Sequence, residues 1–394
     1  MRPVCHGSFA NLRYPDAKSA ANLKWKRFHG CESLQDKASI TIKDVAREAG
    51  CAVVTASRVL NASGPASAEM AARVRAAADD LGFSFSAIGR ALQSRRSMTI
   101  GCLVPSLANP VFAEAMQGVQ DCLRAAGYQP LICASGYDEA ADEDTLRTLL
   151  ASKVDGLIVT MAAPSRSAAL ATAAVPVSLM FHDPLPGYTT AYVDNFAAAR
   201  EVARQFIAHG HRRLGFVALR FAESDRSRSR YAGFLAECRA ANLPDPALIE
   251  MEEAAARCPR RIADVLAGHS GLTGLFASND FLALAVQNAA SLLGRDVPHD
   301  LSVIGFDGIG IGRLLATPLA TIETDAVAMG RQAAASLLAA MQGGALCQPP
   351  ALPFVFRAGA TLAAAPTMTD GGRDAPLPPS VPLASVPTKT RTNQ

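Results

Sequence analysis

From residue 99 to about residue 362, this 394-residue chain alternates short apolar runs with longer amphipathic stretches. The runs are TIGCLVP, YQPLICA, VDGLIVT, VPVSLMF, RRLGFVAL, GLFAS, LSVIGF and PFVFRA. Helical periodicity fills most of the gaps, over 111–126, 142–152, 197–208, 231–241, 261–267, 281–293 and 327–341. A strand buried on both faces has no polar side to alternate, and helices that cover both faces of a sheet force parallel strands. The pattern therefore predicts doubly wound α/β sheets. Some 265 residues exceed one such sheet, so two similar lobes are expected. Ligands of these folds sit beyond the carboxyl ends of the strands. Here those ends carry Pro105-Ser106, Thr160, His182-Asp183, Arg220, Asn279-Asp280 and Asp307.

Ahead of this body, TIKDVAREAGCAVVTASRVLN (41–61) predicts a helix over 42–49, a stop at Gly50 and a second helix from Val53. Thr41 with Asp44 forms a short capping pair, and Gly50 suits the left-handed backbone of a sharp stop. Val45, Ala46 and Ala49 give the first helix an apolar face; Ala56, Val59 and Leu60 do the same for the second. The opposite face presents Val53, Val54, Thr55, Ser57 and Arg58, short then hydroxylic then cationic, as suits a helix entering a major groove. After Gly64-Pro65, Ser67 caps a third helix that ends at Gly82. A marginal two-turn segment over 86–93 follows, with Arg95-Arg96 behind it.

Charge separates the same regions. Residues 1–38 carry seven Lys and Arg against three Asp and Glu, and residues 39–98 carry eight against five. The first quarter is thus +7 and the remainder −4, within a net charge of +3. A basic front on an acidic body points to one module that meets a polyanion. Nine cysteines without a CxxC pair argue for reduced thiols over disulfides or zinc. No run of about 18 apolar residues and no apolar leader is present, so a cytoplasmic location without membrane contact is expected.

The opening TIKDVAREAG, the TxSRVLN of the second helix, the Gly-Arg-Ala-Leu run at 89–92 and IGCLVPSLANPVFAE come in a fixed order with VDGLIV, VDNFAAAR, GHRRLGFV, SNDFLALA and VPHDLSVIGFDG. Through them the chain resembles the LacI-type (lactose-repressor) family of bacterial transcription regulators over about residues 39–362. The resemblance implies a helix-turn-helix domain at 39–84, a hinge helix and linker at 85–98, and a two-lobed, periplasmic-binding-protein-like body at 99–362. Residues 1–38 and 363–394 are expected to be disordered extensions. It also implies that Val53, Val54 and Arg58 read bases, that Thr55 and Ser57 lie near phosphates, and that Leu92 wedges into the minor groove. In the body it puts Asn109, Phe112, Asp183, Arg230, Asn279 and Asp307 around a small polar effector. The implied partners are an operator duplex, that effector and a second copy of the chain, with no cofactor and no metal.

Three features depart from the family pattern. Ala52 replaces a usual Ser and so removes a cap contact of roughly 1 kcal/mol. Phe85-Ser86 replace Pro-Asn, and Gly89 replaces Ala, at about 1 kcal/mol in a helix interior. PSLANPVFAE, Gly136-Tyr137 and the GFDG…IGRLL…PLATIETD stretch look most like gluconate-sensing repressors, and an arginine of RSRSR (226–230) would suit the carboxylate of a sugar acid, the others facing solvent.

Two other classes compete. A transport receptor shares the two-lobed body but lacks a reason for the attached helix-turn-helix. A nucleotide-using enzyme would need more than GFDGIGIGR, whose glycines space as GxGxG. His209 and His211 flank Gly210 at a helix end, where capping is the commoner role. No nucleophile–base set stands out.

Overall fold

The computed structural model describes residues 40–61, 64–83, 96–222 and 224–366. The chain divides at residue 86 into two compact units.

The first unit holds three helices, α1 (Ile42–Glu48), α2 (Val53–Asn61) and α3 (Ala68–Asp80). Asp44 reaches back to accept from the Thr41 N–H at 2.9 Å and its hydroxyl at 2.7 Å, which fixes the start of α1. Gly50, at φ +61°, ends it. Arg73 of α3 donates to the Ala49 carbonyl at 2.6 Å, satisfying an orphan acceptor at that end. Val45, Ala46, Ala56, Val59, Val74 and Ala77 make the small core.

The second unit contains two sheets. The first runs in the order β2 (Gln129–Ala134), β1 (Thr99–Val104), β3 (Gly156–Val159), β4 (Val177–Met180), β5 (Thr189–Ala191), all parallel. The second runs β11 (Phe354–Arg357), β10 (Ala320–Thr324), β9 (Ser302–Asp307), β8 (Gly274–Ala277), β6 (Leu214–Leu219), β7 (Ala247–Met251). One strand departs from the parallel expectation. β11 pairs antiparallel to β10, because the chain reaches this edge from the other lobe with no crossover helix over the sheet. β5, β7 and β10 escape the sequence pattern, being short or flanked by charged residues.

The Ala326–Met341 helix follows β10 yet packs Met329, Ala333 and Leu337 into the core of the first sheet. The chain thus passes between lobes near residues 194, 325 and 353, and a parallel bridge from Val193 to Leu352 joins two of these passages. That helix lies against Pro110–Ala125 at very close range: a Cβ on Gly330 would collide with the Ala115 carbonyl, and one on Gly118 with that of Val327. The second lobe repeats the device, with Gly233 against the Phe196 carbonyl. No helix among the described residues is long and apolar enough to cross a membrane.

Candidate nucleic-acid interface and effector cleft

The helical repeat of α2 turns Ala56 and Val59 inward and leaves Val53 and Val54 40% and 60% exposed. Arg58 is exposed, while Thr55 and Ser57 are half-buried at the rim. Asn61 donates to the Ser57 hydroxyl at 3.2 Å. Two bare valines at a helix start sacrifice solvation without any packing gain in this unit. An apolar surface of this kind suits contact with base edges such as thymine methyl groups. Ala52 has no side-chain oxygen to offer the first N–H groups of α2, so this end stays open to an anion. Leu92 lies outside the described residues.

In the second unit the cleft is charged on one wall and aromatic on the other. The charged wall starts with the Asp225–Ala240 helix, whose Ser224 cap accepts from the Ser227 N–H at 3.2 Å. This helix begins six residues before the sequence periodicity shows it, since RSRSR hides any apolar face. The earlier start puts Arg226 and Arg230 one turn apart on the same side. Their residues are only 6% and 7% exposed, while Arg228 faces solvent.

Arg230 is held on every side. Its Nε donates to Asn195 Oδ1 at 2.9 Å and its Nη1 to the Ser278 carbonyl. Its guanidinium carbon lies 3.4 Å from the centre of the Phe306 ring, and Nη2 is 3.9 Å from Asp307. Burial lowers the Arg230 pKa to about 10 against the pull of Asp307, and it stays charged near neutrality. Asp307 is pushed up to about 6 by burial, with Arg230 and Arg226 opposing. Its φ of +109° turns the chain into Gly308.

Beneath that turn, Asp280 accepts the N–H groups of Gly308 and Ile309 at 2.8 Å each and the Thr321 hydroxyl at 2.6 Å. Burial and then Asp307 raise Asp280 to about 7, outweighing those three bonds. Asn279 caps the Asp280–Leu292 helix through the Leu282 N–H at 2.8 Å and borders the cavity.

The other wall belongs to the first lobe. Asn109 caps the Pro110–Ala125 helix, accepting from the Val111 N–H at 3.3 Å. Phe112 meets Phe181 edge-on at 5.3 Å between centroids and Tyr137 at 6.5 Å. Tyr137, in left-handed backbone after Gly136, brings its phenol to the Asn109 side chain, and burial pushes its pKa up. Between the walls lies a small cavity bordered by Asn109, Phe112, Tyr137, Arg226, Arg230 and Asp307. It opens into a wider apolar mouth that includes Leu219, Ala256 and Phe281.

Hydrogen bonds also cross from wall to wall. His182, fully buried at the end of β4, meets Asp225 Oδ2 through Nδ1 at 2.7 Å. The Met161 N–H donates to His182 Nε2 at 3.2 Å, which leaves Nδ1 to donate to Asp225. Burial works against charge on Asp225, but His182 and Arg226 outweigh it and hold the carboxyl well below the usual range.

Of the effector residues expected from sequence, Asn109, Phe112, Arg230, Asn279 and Asp307 border the cavity. Asp183 does not. It is exposed, accepts from Asn195 at 3.4 Å, and acts on Arg230 through its charge. Two other strand ends also turn away: Thr160 donates to the Met180 carbonyl at 2.8 Å, and Arg220 pairs with Glu252 at 2.7 Å. Sequence reasoning assigned no role to Tyr137, Phe181 or Asn195, and offered Arg226 only as one of the RSRSR arginines suited to a sugar acid. The four-residue spacing from Arg230 was the signal for Arg226. His209 caps the Gln205 carbonyl at 2.7 Å, as expected. His211 instead is a core residue between Thr273 and the Ala363 carbonyl, at 3.0 Å from each.

Residues 41–85 match the family model for bacterial regulatory proteins of the lacI family, and residues 203–358 match that for a periplasmic binding protein-like domain. The HTH-type transcriptional regulator GntR of Escherichia coli is 31% identical over 306 residues, 77% of this chain and 92% of that protein. The HTH-type transcriptional repressor PurR of Pectobacterium carotovorum is 32% identical over 305 residues, 76% and 89% respectively. Among solved structures, the lac repressor dimer bound to operator covers 82% of this chain and 99% of its own, with TM-score 0.74 and 24% identity, a likeness of fold. The transcription regulator GntR from Chromobacterium violaceum, 28% identical, covers 67% and 99% with TM-score 0.58.

Proposed function

Because the chain belongs to the lacI family of bacterial regulatory proteins, a family of DNA-binding transcription regulators, we propose that it is a repressor released or engaged by a small polyhydroxy acid. The observation that carries the effector class is the pair Arg226 and Arg230, both more than nine-tenths buried and both bordering one small cavity. Arg230 is spent on protein partners. Arg226 makes a loose 3.4 Å contact with Asp225 and keeps donors directed at the cavity, where a carboxylate satisfies them bidentately. Asn109, Asn279, Tyr137 and Asp307 supply the mixed donors and acceptors that hydroxyl groups require.

On the DNA side, Val53, Val54 and Arg58 contact base edges, and Thr55 and Ser57 contact phosphates. A single α2 reads one half-site, so a homodimer on a near-palindrome follows. The effector acts by differential affinity for two lobe arrangements, transmitted through the hinge segment at 85–98 and the Leu92 wedge. The body serves as sensor, with no catalytic role.

Selection of duplexes from a random pool by the full-length protein tests the first half. A two-fold symmetric motif is expected, and failure to enrich any sequence would sink it. Titration of D-gluconate into the selected complex tests the second. Operator affinity should change by about tenfold or more, a coupling of about 1.4 kcal/mol; gluconate shown to bind with no such change would reject the coupling.

A further inference from the structure

We propose that His182 is a positioning residue for effector recognition: from the first lobe it holds Asp225, and Asp225 aims Arg226 into the cavity, so that acid preference and lobe contact depend on one relay. This rests on the acidic-effector function proposed above.

The geometry is specific at each link. The Met161 N–H occupies Nε2 and leaves His182 a single donor, Nδ1–H, which points across the cleft to Asp225 Oδ2. The other Asp225 oxygen accepts the Arg226 N–H at 2.8 Å and touches its Nη1 at 3.4 Å. Both carboxylate oxygens are therefore engaged, one by each lobe. Asp225 also opens its helix, where a negative charge is favoured and the backbone is fixed by the Ser224 cap. Without His182, Asp225 is free to turn fully onto the Arg226 guanidinium and form the tight ion pair that the present 3.4 Å contact is not. Such a pair would consume the donors meant for the ligand. His182 thus keeps Arg226 available by competing for its own carboxylate, and the competition exists only while the lobes meet.

The test uses the full-length protein, with calorimetric titration of D-gluconate and of D-glucitol, which has the same carbon chain without the carboxylate. His182→Leu removes the donor, while His182→Asn keeps an N–H near the Nδ1 position. In His182→Leu, gluconate affinity should fall about tenfold or more, with glucitol changed less than about twofold. His182→Asn should restore most of the acid preference, which a purely structural role for the ring would not predict. An unchanged gluconate-to-glucitol ratio in His182→Leu would overturn the relay.

If the wild type shows no acid preference, the effector assignment fails on its own. The relay is then decided without ligand, by hydrogen exchange on peptides covering Met161 and Arg226. Faster exchange in both lobes of His182→Leu supports it, and a change confined to the Met161 peptide rejects it. Should the leucine variant fold poorly, Asp225→Asn gives the same two readouts from the other lobe.

Discussion

The two lobes are built by the same means and equipped in opposite ways. Each stacks helices on a parallel-rich sheet, and each lets two helices touch backbone to backbone through glycine, Gly118 and Gly330 in the first and Gly233 in the second. At the cleft they part. The first lobe contributes an aromatic trio and an amide, Phe112, Phe181, Tyr137 and Asn109. The second contributes Arg226, Arg230 and Asp307, held in place by bonds formed before any ligand arrives. Fixed charge needs a rigid surround, because a buried ion loses far more than a ring does when its partners drift. Under the proposed function the second lobe would act as the template that binds the ligand's charge, and the first as the cover that excludes water and, through His182, positions that template.

The largest test of that division is Arg230→Ala. It leaves the Asn195 oxygen, the Ser278 carbonyl and Asp307 without their partner in a buried setting. A loss of about 3–5 kcal/mol in stability is expected, together with loss of the effector response. Thermal unfolding and gluconate titration check it. A variant that unfolds like the wild type would mean the second lobe is no template.

Next in size is the response to pH. The folded-state pKa of Asp280 is raised from 3.8 to about 7, so the folded protein binds this proton more tightly than the unfolded chain does. Its contribution is complete below about pH 4 and is lost as pH rises to about 7, up to about 4 kcal/mol in all. Asp280→Asn keeps an oxygen for the Gly308 and Ile309 N–H groups and carries no charge. Unfolding temperatures of the variant should fall less than those of the wild type between pH 4 and 7. Parallel curves would show that the Asp307 turn is not supported in this way.

Arg226→Ala should cost about 1.5–3 kcal/mol of gluconate binding, with little effect on D-glucitol, since the lost bonds are to a charged group. Equal losses on both ligands would place acid selection elsewhere in the cleft.

Much of this was legible in the sequence. Apolar runs as dense as TIGCLVP and LSVIGF have no partner but a sheet covered on both faces, and both are strands with almost no exposure. The helix-turn-helix was readable because Gly50, Ala56 and Val59 each have one job in it. Arg230, Asn279 and Asp307 were reachable through family resemblance, at strand ends or in a quoted motif. Arg226 was harder, since a polar RSRSR carries no apolar period to mark a helix and its face is defined only by what packs around it. Asp183, outside the cavity lining, shows the converse: it ends a strand like its neighbour His182, but which of the two points inward depends on backbone geometry. Phe181 between β4 and His182 has φ +70°, which the sequence does not announce. The cross-lobe bond itself joins residues 43 positions apart, a separation that periodicity cannot bridge.

The smallest effect sharpens the comparison most. Tyr137→Phe removes one hydroxyl from the first-lobe wall, beside Asn109, and leaves the ring against Phe112. If this wall only covers the ligand, the loss should be about 0.5–1 kcal/mol, the ordinary worth of one neutral hydrogen bond. It should also be blind to charge, because a phenol near neutral pH offers the same donor to a hydroxyl as to a carboxylate. Gluconate and D-glucitol should weaken alike, by a few fold, in calorimetric titrations run beside Arg226→Ala. A change in the acid-to-neutral ratio as large as that of Arg226→Ala would show that both lobes select, since a mere cover has no means of telling the two ligands apart.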